Sequence, residues 1–270
     1  MTSADPARGP ARLPRWRWLA AAVLLMLSAA TTAWSTYLHW MPCRGTMLDG
    51  SVLAARPSVM NFSDACLRRM DTSLPFPYPP EPAEQAPWAS ELGAAAMALS
   101  GLAWLLLVLG MRWSRWSRLV ASLPTGVSLT LALLSAVTSA DPGRNPDGYV
   151  SLWLLLAIEV AAVAALVVVW RQPELRGGQF ARLLVVAWGV TAFGLVHLVY
   201  DYSTMTIFSR ANWDTPPGTG YGTALVLVLA ALAAAFGLPR ISPGRRASAD
   251  QLVRRPQTAA GPPAGSPRAS

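Results

Sequence analysis

The chain has no lysine. All 22 of its basic residues are arginine, and charged residues make up only 13% of its 270 positions. So little charge excludes an ordinary soluble domain, whose surface is normally about a quarter charged. Two cysteines and two histidines exclude a cysteine-rich zinc module and a haem histidine set. There is no Walker motif, no nucleotide fingerprint and no convincing internal repeat, and motifs for DNA or RNA binding are also missing. The net charge of +8 therefore gives no ground for a nucleic-acid partner. An Ala-, Pro- and Arg-rich chain without Lys has the composition of a GC-rich bacterial genome.

What is present is apolar length. Hydrophobic residues make up 53% of the chain, gathered into stretches near 18–38, 92–111, 119–140, 150–170, 181–200 and 222–238. The hydrocarbon core of a bilayer is about 30 Å thick, which a helix crosses in about 20 residues. The fold class expected is an all-α integral membrane protein, a bundle of about six transmembrane helices. A basic N-terminus (1–17) precedes it, and a Pro/Gly/Ser/Arg-rich tail (239–270), too polar to bury a core, follows it.

Arginine placement sets the expected orientation, because cytoplasmic connections carry the excess of basic residues. Arg8, Arg12, Arg15 and Arg17 precede the first stretch. Arg112, Arg115 and Arg118 lie in the second connection, and Arg171, Arg176 and Arg182 flank the fourth. The third and fifth connections hold one arginine each, Arg144 and Arg210. Both termini are expected on the cytoplasmic side of a bacterial membrane, with connections one, three and five outside. The first connection (41–90) carries Arg44, Arg56, Arg68 and Arg69, but long loops translocate with little regard to charge. Tryptophans cluster near the span ends, where an indole joins an apolar ring to one donor. The first stretch also resembles a signal peptide; its continuation through Trp34, Tyr37 and Trp40 favours a retained anchor helix.

Cys43 and Cys66 both fall in the outer connection. Thiols there meet an oxidising compartment, so a disulfide is expected. It closes a loop of about 24 residues and is worth about 3 kcal/mol by the chain-entropy model. The spacing is far wider than the Cys-x-x-Cys of redox dithiols. Within the loop, Pro57–Asp71 reads as a short amphipathic helix capped by Asn61 or Ser63, packed as a lid over helix ends or over a ligand cavity. The run Leu74–Pro82 alternates with proline and reads as an extended spacer.

Three polar features stand out. Glu159 lies about 14 Å into the fourth stretch, and an intramembrane carboxylate is costly enough to point to function or to an internal partner. Its helical face carries Leu152, Leu155, Leu156, Val163 and Leu166, whereas an alanine stripe at Ala157, Ala161, Ala164 and Ala165 lies opposite. Glu159 is expected to face the bundle, because lipid offers it no partner. His197 and Asp201, four apart, share a face near the outer end of the fifth stretch, and His39 ends the first at similar depth. Together they could form an outer vestibule, as an interfacial hydrogen bond or as a metal or proton-transfer site. Ser100-Gly101 lacks the Gly-x-Ser-Gly pattern of intramembrane serine proteases and reads as helix packing.

No cofactor, resident metal or catalytic residue is implied by the sequence. The expected role is binding, sensing or accessory to a membrane complex, with the lipid bilayer and a small ligand or membrane protein as partners. The alternatives are a small proton-coupled transporter or channel subunit using Glu159, and a membrane enzyme with an outer His/Asp site.

Overall fold

A computed structural model describes residues 13–43, 63–70, 88–111, 113–140, 148–172, 178–209 and 215–236. The chain divides into a unit over Met1–Leu238 and one over Pro239–Ser270. The second unit lies outside the described residues, as do the spacer 74–82, Asn61, Arg144 and Arg210.

Among the described residues the secondary structure is entirely helical: α1 (Arg15–His39), α2 (Asp64–Met70), α3 (Ala89–Val108), α4 (Arg115–Ala140), α5 (Gly148–Trp170), α6 (Gly178–Val190), α7 (Leu195–Ser209) and α8 (Tyr221–Phe236). Short 3₁₀ turns follow α1 at Met41–Cys43 and α6 at Thr191–Phe193. Four helices (α1, α3, α4 and α5) are long and apolar enough to cross a membrane. The fifth apolar stretch is not one straight helix. It is two, α6 and α7, bent by 75° at the Thr191–Gly194 break, and counting that pair as one span gives five. The 16 residues of α8 rise about 24 Å, less than a full hydrocarbon core.

The apolar outer surface suggests a transmembrane protein. Val160, Val163 and Val167 on α5, Val196, Val199 and Ile207 on α7, and Leu225, Leu229 and Phe236 on α8 are all exposed. So large an exposed apolar belt would drive a soluble protein to aggregate. Trp16, Trp88, Trp116 and Trp170 are exposed at or beside helix ends, as expected of aromatic anchors.

Small residues let the helices approach closely, and serines tie them. Helix α1 lies between α3 and α8, while α3, α4 and α5 pack in sequence order and α6 packs on α8. Ser28 Oγ donates to the Ala96 carbonyl at 2.7 Å, and Ser35 Oγ to the Ala89 carbonyl at 2.6 Å, joining α1 to α3. Thr125 Oγ1 donates to the Gly101 carbonyl at 2.9 Å, where a Cβ on Gly101 would stand 3.0 Å from Ser128 Cβ. Ser100 is fully buried and donates to Met97 within its own helix, a packing residue rather than a nucleophile. The fully buried Trp104 gives its indole N–H to the Ala121 carbonyl at 2.7 Å.

The two ends of the bundle differ. At one end Arg182 donates to the Ala233 and Ala234 carbonyls, the last turn of α8, and its guanidinium lies 4.0 Å over the Trp18 ring. A cation there complements a helix C-terminus. Arg17 lies beside Gly110 at the same end. The other end carries the expected disulfide, Cys43–Cys66, with Cα atoms 4.8 Å apart. Ser63 caps α2, its Oγ accepting the Cys66 N–H at 3.2 Å. Trp40, Cys43, Cys66 and Met70 form a small buried cluster. The Thr215 N–H donates to the Met70 carbonyl, and Trp40 Nε1 donates to the Thr219 carbonyl. The segments after α1 and before α8 thus meet at one end of the bundle.

Gly189 tests the packing of α6 on α8. A Cβ there would overlap Ala230 Cβ, whereas one on Gly126 would meet nothing within 4 Å. Gly189→Ala is expected to lower thermal stability in detergent by an overpacking cost of about 1–3 kcal/mol. Gly126→Ala should leave the melting temperature unchanged or raise it, and equal melting of the two variants would contradict this packing.

Candidate functional site: a carboxylate-lined cavity beside a broken helix

The break between α6 and α7 organises the candidate site. After the 3₁₀ turn, Gly194 is extended (φ −84°, ψ 170°) and occupies the N-cap position of α7. A helix N-terminus leaves its first N–H groups without intrahelical partners, and an N-cap side chain normally accepts one of them. Glycine has no side chain to do so. Glu159 of α5 supplies the acceptor instead: the Val196 N–H donates to its Oε1 at 2.6 Å. The two residues fit each other sterically, because a Cβ on Gly194 would stand 2.7 Å from Glu159 Oε1 and 2.9 Å from its Cγ.

Glu159 sits at the margin of the buried face of α5. Leu155, Ile158, Ala162, Ala165 and Val169 form the inner stripe, and Val160, Val163 and Val167 face outward. The carboxylate is directed at α7, so it has the internal partner expected of it. No basic side chain pairs with it among the described residues.

Beside Glu159 lies a cavity of about 760 Å³ between α5, α6 and α7. Its walls are mainly apolar and include Val163, Leu166, Leu184 and Ala187. Its polar groups are few: Glu159, Thr191, His197, the Trp188 indole and Tyr200 at the rim. His197 is only 8% exposed, and its ring is turned to the Thr191 carbonyl of the break. Its ring lies 5.5 Å from that of Trp188. Mainly apolar walls with a few convergent polar groups are typical of small-molecule sites.

Asp201 is engaged elsewhere. It is 2% exposed, and its Oδ2 accepts the Gly220 N–H at 2.7 Å and the Thr223 N–H and Oγ1 at 3.3 Å; Oδ1 accepts the Gly222 N–H at 3.1 Å. These groups are the N-terminus of α8, where Gly220 (φ +115°) again leaves the N-cap without a side chain. His197 and Asp201 therefore share a helix but not a hydrogen bond. His39 is buried at the end of α1 with its ring edge-on to Trp40 at 4.7 Å, and the Arg69 charge acts on it. The described residues contain no group of three or more His, Cys, Asp or Glu side chains placed to hold a metal ion. The structure thus brings His197 together with Glu159, not with Asp201 and His39. Trp188 and Thr191 complete the cavity, and the sequence reading did not single them out. Their one signal is position, six and three residues before Gly194.

The sequence matches no protein-family model, and it matches no curated protein and no solved structure.

Asp201→Ala strips the acceptor from three backbone N–H groups, and a buried donor without a partner costs about 1–3 kcal/mol. Thermal unfolding should show a loss of at least about 2 kcal/mol. Asp201→Asn keeps one acceptor oxygen and should lose less. Two variants as stable as the parent would refute the capping role.

Proposed function

We propose that the chain is a six-span protein of a bacterial cytoplasmic membrane, with both termini cytoplasmic and the disulfide outside, and that it works by binding a small hydrophobic molecule. The cavity between α5, α6 and α7, with its mainly apolar walls and its single carboxylate, is the observation that carries the binding role. The arginines support the orientation: Arg17 and Arg182 lie at the end of the bundle opposite Cys43–Cys66. Sensing, or presenting the bound molecule to a membrane partner, fits the same chemistry. Catalysis has less support, since Asp201 is committed to α8 and no third His, Cys, Asp or Glu among the described residues joins Glu159 and His197 as a metal ligand.

Proton-coupled transport is the second reading, favoured by the presence of two ionisable groups in one cavity. The Val196 contact argues against it. A carboxylate that holds a helix end cannot exchange partners in each cycle without leaving that end unsatisfied.

Reconstitution into liposomes loaded with a pH-sensitive dye separates the two. The binding role predicts no protein-dependent proton flux under an imposed gradient, in the parent or in Glu159→Gln. Flux in the parent that disappears in Glu159→Gln would establish transport instead.

A further inference from the structure

We propose that the α5–α6–α7 cavity binds a lipophilic amine, a cationic nitrogen head on an apolar body, with the head held by Glu159. This rests on the binding role argued above and names its ligand class.

The head is set by what the cavity lacks. It holds a carboxylate with no cation paired to it among the described residues, and one backbone N–H is its whole hydrogen-bond complement. A charge in an apolar setting is tolerated when it is paired. His197 lines the same cavity with its ring largely buried and one ring nitrogen turned to the Thr191 carbonyl. An ammonium N–H can donate to the Glu159 carboxylate in a charge-assisted hydrogen bond. Trp188 and Tyr200 add aromatic faces, which attract cations lying within about 6 Å of the ring centroid.

Other heads fit less well. A fatty acid or other anion would set its charge against Glu159. A carbonyl head carries no positive charge and would leave the carboxylate uncompensated.

The body is set by the walls. Val163, Val196 and Tyr200 line the cavity and are also exposed on the apolar outer surface, so the cavity opens sideways toward the surrounding hydrocarbon. An amphiphile can enter from the bilayer, leaving its tail along Val163, Leu166 and Leu184. The volume of about 760 Å³ lies within the usual range for small-molecule sites.

The test uses the full chain in phosphatidylcholine nanodiscs, which carry no net lipid charge. Three photoreactive benzophenone probes share one alkyl body and differ in the head: a tertiary amine, a neutral amide and a carboxylate. The amine is expected to label α5–α7 peptides about tenfold more than the amide, the scale of one charge-assisted hydrogen bond. Glu159→Gln keeps a side-chain oxygen for the Val196 N–H and should bring amine labelling down to the amide level. Val163→Trp fills the cavity from an exposed wall position, keeps the test decisive if the Gln variant misfolds, and should abolish amine labelling. Amine labelling undiminished in either variant overturns the proposal, as does equal or stronger labelling by the amide or carboxylate. In those cases a cavity that still binds neutral or anionic probes leaves the broader binding role standing. Failure of all three probes to label α5–α7 overturns both.

Discussion

The structure depends on how helix ends are satisfied where water is scarce. In a bilayer each unpaired backbone group costs several kcal/mol, so a span can break only where something else takes up the freed groups. Here α7 and α8 both begin after a glycine, which cannot cap them, and both are capped by a carboxylate from another helix. Glu159 of α5 accepts the Val196 N–H at the start of α7, and Asp201 of α7 accepts the Gly220, Gly222 and Thr223 N–H groups at the start of α8. Each carboxylate also meets positive partial charge at a helix N-terminus. The two caps form a relay from α5 to α7 to α8.

The cavity follows from the first cap. The 75° bend turns α7 away from the line of α6 and leaves space above Glu159 that no side chain fills. His197, one residue beyond Val196, lines that space with its ring turned to the Thr191 carbonyl. The second cap belongs to the opposite requirement, rigidity. Asp201 fixes α8 at the disulfide end, where Trp40 holds the Thr219 carbonyl, Thr215 bonds to Met70, and the disulfide ties α2 to the end of α1. One end of the molecule is stapled, while the lateral face at α5–α7 is left open.

Much of the frame was legible in the sequence because it rests on signals that survive without tertiary context. Apolar length gave the helices near 18–38, 92–111, 119–140 and 150–170, and two outer cysteines gave the disulfide. A buried carboxylate needs a partner, so Glu159 had to turn inward. The break at Gly194 was not legible: one glycine in an apolar run reads the same whether it packs against a helix or ends one. Nor was the inner face of α5, because lipid and core are equally apolar and the helix is apolar all round. Spacing put His197 and Asp201 on one helix, but it could not show that the α8 amides claim Asp201 first. The short helix expected over 57–71 is seen over Asp64–Met70, with Ser63 rather than Asn61 as its visible cap, because Asn61 lies outside the described residues.

The central claim is that the Glu159 carboxyl holds the start of α7. Amide hydrogen exchange across 194–200, read by mass spectrometry in nanodiscs, tests it most directly. Glu159→Leu should lose protection at these amides by about tenfold or more, as expected when a hydrogen bond to a charged group is removed. Glu159→Gln, which keeps an acceptor oxygen, should retain most of it. Protection in Glu159→Leu equal to that of the parent would contradict the account.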